Sequence, residues 1–148
     1  MNFLRFSIII DIVRHKGEWV MKKYILYNPH AGDEHGAENA KKLYPLYIGH
    51  ELIYRDLTTI SDWDEFFASL DSEDEVIICG GDGTINRFVN DVKDIQIKSR
   101  IYYLPAGSGN DFARDLGREN ASEPFSVKKW IACLEAGLTT SAMMICPA

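Results

Sequence analysis

Glu75-Val-Ile-Ile-Cys-Gly-Gly-Asp-Gly-Thr-Ile-Asn-Arg-Phe-Val-Asn-Asp91 is the stretch whose reading decides the fold. It opens on the apolar, β-branched run Val76-Ile77-Ile78-Cys79. Such a run reads as a short strand buried on both faces. Gly80, Gly81 and Gly83 then surround Asp82, and Thr84 stands where a helix N-cap is expected. Ile85, Phe88, Val89 and Val92 follow at the spacing of one helix face. The unit is strand, glycine loop, helix N-terminus. Glycines admit φ > 0 and close approach of a ligand to the backbone. First-turn N–H groups and the helix dipole favour an anion there, phosphate above all. Asp82 would repel a bare phosphate; a divalent cation between the two removes the conflict. A Gly-Asp-Gly hairpin turn is the alternative, and the helical period downstream argues against it.

Outward from this unit, the chain alternates. Tyr24–Tyr27 is a strand candidate, followed by the turn-forming Asn28-Pro-His-Ala-Gly32. Residues 37–47 have helical tendency, with Pro45 as a kink or end. Glu51–Asp56 reads as a second strand. Ser61 is placed to cap a helix whose face is Trp63, Phe66, Phe67 and Leu70. Arg100–Leu104 is a further strand, ending in Pro105-Ala-Gly-Ser-Gly-Asn-Asp111. A short helix to about Leu116 stops at Gly117, and a last helix is expected from a Ser126 cap through Val127, Trp130, Ile131 and Leu134 to Gly137. Strands alternating with helices predict an α/β fold: three layers, a mostly parallel sheet with helices on both faces. In such sheets ligands bind at the carboxyl ends of the strands, where all three glycine-bearing loops open.

Composition narrows the class. The 148 residues fit one domain, and 46% hydrophobic with 26% charged residues describes a globular chain. A net charge of −6 without a basic cluster argues against a nucleic-acid partner. Cys79, Cys133 and Cys146 have no CxxC spacing, which suits a reducing cytoplasm and gives no zinc signal. No apolar run is long enough to span a membrane. Residues 1–20 read as a poorly ordered or non-native extension, with Met21-Lys-Lys-Tyr24 resembling a true start.

Taken in order, Tyr27-Asn-Pro-His-Ala-Gly32, Gly80-Gly-Asp-Gly-Thr-Ile-Asn86 and Leu104-Pro-Ala-Gly-Ser-Gly-Asn-Asp-Phe-Ala113 resemble the nucleotide-binding domain of the diacylglycerol kinase family, which includes bacterial lipid kinases and sphingosine kinases. Gly-Gly-Asp-Gly alone also resembles NAD kinases and phosphofructokinases; the three motifs together are specific. The resemblance implies the NAD kinase/diacylglycerol kinase N-terminal fold over residues 21–148, ATP and Mg²⁺ as cofactors, and phosphoryl transfer to a lipid hydroxyl presented at a membrane surface. By the same resemblance, Asn28, Pro29, His30, Ala31 and Gly32 lie near the ATP phosphates. Thr58, or Thr59 in the other register, contacts nucleotide. Gly80, Gly81, Asp82, Gly83, Thr84 and Asn86 form the phosphate loop, and Gly107, Ser108, Gly109 and Asn110 the third loop. Asp82 is the expected catalytic residue, acting as base on the substrate hydroxyl or through Mg-ATP. Arg87 stands where many relatives carry Glu, leaving phosphate contact or exposed helix surface for it. The family's second, β-rich domain is expected to be missing, so the chain reads as a nucleotide-binding half. A cytoplasmic or peripheral inner-membrane location and a homo-oligomer are further expectations. A catalytically silent nucleotide-binding module and an NAD kinase-like enzyme are the alternatives.

Overall fold

The computed structural model describes residues 21–118, 120–127 and 131. Five strands form one sheet: β1 (Lys22–Tyr27), β2 (Glu51–Asp56), β3 (Glu75–Gly80), β4 (Arg100–Pro105) and β5 (Phe125–Ser126), in the order β2-β1-β3-β4-β5. The first four are parallel; β5 pairs antiparallel with β4, Tyr102 opposite Ser126. The helices are α1 (Gly36–Lys41), α2 (Trp63–Ala68), α3 (Asp82–Val92) and α4 (Asp111–Asp115). The expected α/β architecture is present, with the core on both faces of the sheet.

Strand alternation sorts the apolar residues into two layers. Leu26, Val76, Ile78, Ile101 and Tyr103 meet Trp63, Phe66 and Phe67 of α2 and Ile85, Phe88 and Val92 of α3. Ile25, Ile77, Cys79 and Leu104 point the other way, against Ala40 and Leu43 from the α1 side. Every residue of β3 is buried, as its unbroken apolar run requires. The strand begins on a charge, Glu75, which pairs with Lys23 of β1 although both are nearly inaccessible. Arg100 Nη1 lies 3.4 Å from the same carboxylate and the Tyr47 ring 4.5 Å from the ammonium, so neither charge is buried alone.

Several boundaries differ from the sequence reading. The α2 cap is Asp62, whose carboxylate accepts from Glu65 N at 2.9 Å, not Ser61. The 37–47 segment is a six-residue helix followed by a 3₁₀ turn, Tyr44–Tyr47, which accommodates Pro45 near its start. Ser126 is in β5, not at a cap, because Tyr102 offers it a ladder partner. Gly117 does end α4. At φ +65° it donates to Arg114 O, while Arg118 N reaches Ala113 O at 2.7 Å, a Schellman closure. Trp130, Leu134, Gly137 and residues 1–20 lie outside the described residues; Val127 and Ile131 are buried in the α2–α3 layer.

Candidate functional site

Three loops leave the carboxyl edge of neighbouring strands: 28–35 after β1, Gly81 after β3 and 106–110 after β4. They are fastened to one another. Asn28 Nδ2 donates to Thr84 Oγ1 at 3.0 Å, and Asn28 Oδ1 accepts from His30 N at 3.0 Å. Ala106 N donates to Gly80 O at 2.8 Å. The Tyr103 hydroxyl donates to the same carbonyl at 2.9 Å from below. Burial and the nearby Asp82 charge push the Tyr103 phenol far above its usual range, so it is a permanent donor.

The glycines serve this packing. A Cβ on Gly107 would stand 2.4 Å from Gly81 Cα, one on Gly36 would stand 1.8 Å from Asn28 O, and one on Gly80 would strike the Thr84 side chain. Gly32 alone among the expected site residues uses positive φ, at +58°, and opens a left-handed turn continued by Asp33 and Glu34. The expected φ > 0 at the Gly80–Gly83 loop is not found: Gly81 is extended at φ −92°. Close packing, not backbone handedness, restricts these positions: the Thr84 side chain leaves no room at Gly80, and the approach of the two loops leaves none at Gly107 and little at Gly81.

Helix α3 starts at Asp82, with Gly81 as N-cap. Thr84 is therefore not the cap; it is buried in the first turn, held by Asn28 and covered by Gly80. The N–H groups of Thr84 and Ile85 both turn to Gly81 O. Those of Asp82 and Gly83, at the first two helical positions, have no intrahelical acceptor. A Cβ built on Gly83 meets nothing within 4 Å, so the space beside it is open.

Asp82 resolves its conflict with phosphate in an unexpected way. Its Oδ2 accepts from Asp111 N at 2.7 Å and its Oδ1 from Phe112 N at 2.9 Å. The carboxylate caps α4 across 29 residues, and its charge faces a helix N-terminus. Asn110, the nominal cap, folds back on its own loop: its Nδ2 donates to Gly107 O and its Oδ1 accepts from Gly107 N. Gly109 lies beside the Asp82 carboxylate, and Ser108 is exposed at the loop tip.

Not every expected residue joins this cluster. Thr58 is on the 3₁₀ turn after β2, where its N and Oγ1 both donate to Asp56 Oδ1; Thr59 bonds Asp56 O. Asn86 faces outward on α3 and accepts from Asn90 Nδ2 at 3.1 Å. His30 is exposed and pairs with Glu34. Arg87 is on exposed helix surface, 3.7 Å from Asp91. On the α1 side, a cleft of about 520 Å³ runs between Gly32 and the Gly107–Ser108 loop, lined also by Asn39, Lys42 and Ser122. The sequence reading did not single out Asn39, Lys42 or Tyr103. Only the fold brings α1 and β4 to these loops.

The arrangement suits a phosphate group: two first-turn N–H groups beside an open glycine, on a rigid platform. Among the described residues no group of three His, Cys, Asp or Glu side chains could hold a metal ion. Mg²⁺ carried by a nucleotide needs only one or two carboxylates besides the phosphates; Asp82 is the carboxylate beside this loop, and each of its oxygens already accepts one backbone N–H. No helix of the described residues is long and apolar enough to cross a membrane.

Comparison with known proteins agrees with the motifs. The family described as Diacylglycerol kinase catalytic domain matches residues 22–142. The diacylglycerol kinase of Bacillus subtilis (strain 168) is 35% identical over 99 residues, covering 63% of this chain and 32% of that protein. A crystal structure of a diacylglycerol kinase from Bacillus anthracis (Sterne) aligns with 27% identity and a TM-score of 0.48, over 69% of this chain and 38% of that one. The chain thus spans about a third of the length of the relatives it matches. From the family match over 22–142 and the three motifs gathered on one sheet edge, the chain belongs to the diacylglycerol kinase catalytic-domain family.

Proposed function

We propose that this chain supplies the ATP-binding part of a lipid kinase, which passes the γ-phosphoryl of Mg-ATP to a hydroxyl of diacylglycerol or a related lipid. The observation that carries this reading is the pair of first-turn N–H groups at Asp82 and Gly83, which have no intrahelical acceptor, beside the open space at Gly83, on a platform tied by the Asn28–Thr84 hydrogen bond and the close packing of Gly81 on Gly107. Phosphoryl transfer depends mainly on positioning and charge stabilisation, and a preformed cradle is the part this fold contributes. Bound Mg²⁺ would neutralise developing charge on the phosphates. Asp82 would orient the Mg-ATP from its position against α4, and Ser108 and Asn28 would border the phosphates.

A second reading, a nucleotide-binding module without catalysis, draws support from Asp82 as well. Both its oxygens are engaged by α4, so a purely structural cap also fits. Titration calorimetry with Mg-ATP is paired with radiolabelled phosphate transfer to diacylglycerol in mixed micelles, by the chain alone and by the chain fused to the remaining part of a matched diacylglycerol kinase. Transfer by either supports the kinase; Mg-ATP binding with no transfer even from the fusion favours the silent module. No binding of Mg-ATP would overturn both.

A further inference from the structure

β2 is an edge of the sheet, and among the described residues no strand pairs with its outer side. An open edge is a template for another strand. This one has six residues in unbroken register with β1 and contains no proline. The large apolar residues most exposed among those described, Tyr44, Leu46 and Ile48 at 53%, 43% and 74%, all lie in the segment leading into it. On the same face Leu52 and Tyr54 are only partly buried against the α1-side core.

The edge is also complementary to itself. Pairing two copies antiparallel about a two-fold axis through Ile53 sets Glu51 of each copy opposite Arg55 of the other. One step outward, His50 meets Asp56; one step inward, Leu52 meets Tyr54. Opposed residues in an antiparallel pair share a face. Glu51 and Arg55 lie on the Ile53 side, Leu52 and Tyr54 on the α1 side, so charge meets opposite charge and apolar meets apolar. Sliding the register by one residue would put Glu51 against Asp56 and lose both gains.

We propose that the chain forms a symmetric dimer through β2, joining two sheets into one, with the Tyr44–Ile48 segments covering the seam. The contact is isologous, so each favourable pair occurs twice. Lys41 and Lys42 beside the same apolar residues would also suit an anionic bilayer. That segment leads into the amino end of β2, however, while the glycine loops open at the carboxyl ends, and a bilayer there would hold the phosphate cradle away from lipid.

The test is light scattering and sedimentation of the full 148-residue chain in reductant, over a concentration series. A species of twice the 16.8 kDa chain mass is expected. Glu51→Arg and Arg55→Glu should each weaken dimerisation by roughly tenfold or more, since two opposite-charge pairs become two like-charge pairs. The double variant E51R/R55E should restore it. Circular dichroism on each variant confirms folding, which matters for Arg55 because it also lies over the Phe66 ring. A monomer at all concentrations, a dimer indifferent to both single changes, or a double variant no better than the singles would overturn the proposal. So would association seen only with phosphatidylglycerol vesicles.

Discussion

At the scale of single residues, Asp82 and Gly83 stand side by side with opposite demands. Gly83 is inside a helix with open space where a side chain would go. Gly83→Ala should therefore stabilise the fold by up to about 0.5 kcal/mol, the low end of what glycine costs in mid-helix, because Gly83 is in the first turn. If the open space is where phosphate sits, the same change should lower ATP affinity. Thermal melts and calorimetry on one variant check both directions; a stabler protein with unchanged ATP binding would move the phosphate elsewhere. Asp82→Asn has two separable effects. An amide can present only one acceptor oxygen to the Asp111 and Phe112 N–H groups, so stability should fall by about 1–2 kcal/mol, the worth of a lost cap. Affinity for ATP should fall with Mg²⁺ present and not fall without it, since a repelling charge has gone. Equal losses in both conditions would leave the capping role alone.

Between elements, the decisive contacts join parts distant in sequence. The ion pair of Lys23 with Glu75 ties β1 to β3 near their amino ends, at a place where both side chains are almost wholly buried. Lys23→Met would leave Glu75 with Arg100 as its cation. Breaking a buried pair costs roughly 3–5 kcal/mol, and the remaining Arg100 should hold the loss near the lower end of that range. Urea denaturation measures it, and a loss under 1 kcal/mol would show that Arg100 replaces Lys23 fully. The alternating segments of the chain announced β1 to β4 and their helices, because burial on both faces forces continuous apolar strands. The antiparallel β5 was not legible: two residues, Phe125 and Ser126, carry too short a pattern, and only Tyr102 and Tyr103 beside them define the pairing.

Considered as a whole molecule, the fold holds several acids in their neutral form. Burial pushes the Cys79 thiol up to about 12, and Tyr24, Tyr47, Tyr54 and Tyr103 are raised as well, again chiefly by burial. An acid whose folded pKa is raised adds stability that is complete below its unfolded value and lost as pH climbs toward the folded one. Stability should hold steady up to about pH 9, the ordinary thiol value, then decline toward pH 12. Cys79→Val should make the decline shallower. Melts between pH 7 and 11 test this, and a curve flat to pH 11 would contradict it.

The order of β1 to β4 and the helices between them, the three glycine-bearing loops, and their common exit at the carboxyl edge were determined by the sequence alone. Apolar period and glycine placement are local signals that act over a few residues, and the sheet follows from them. What only the tertiary structure decided is how the loops use their residues. Asp82 was legible as a charge beside a helix start but not as the cap of α4, because its partners lie 29 and 30 residues away. Gly81 and Gly107 were legible as glycines, yet the reason for them is a contact between two loops that no spacing encodes. Thr84 moved from cap to buried anchor for the same cause: Asn28, 56 positions earlier, reaches its hydroxyl once β1 and β3 lie side by side. Helices and strands arise from neighbours in sequence, while a site arises from neighbours in space, and those are fixed only when the sheet closes.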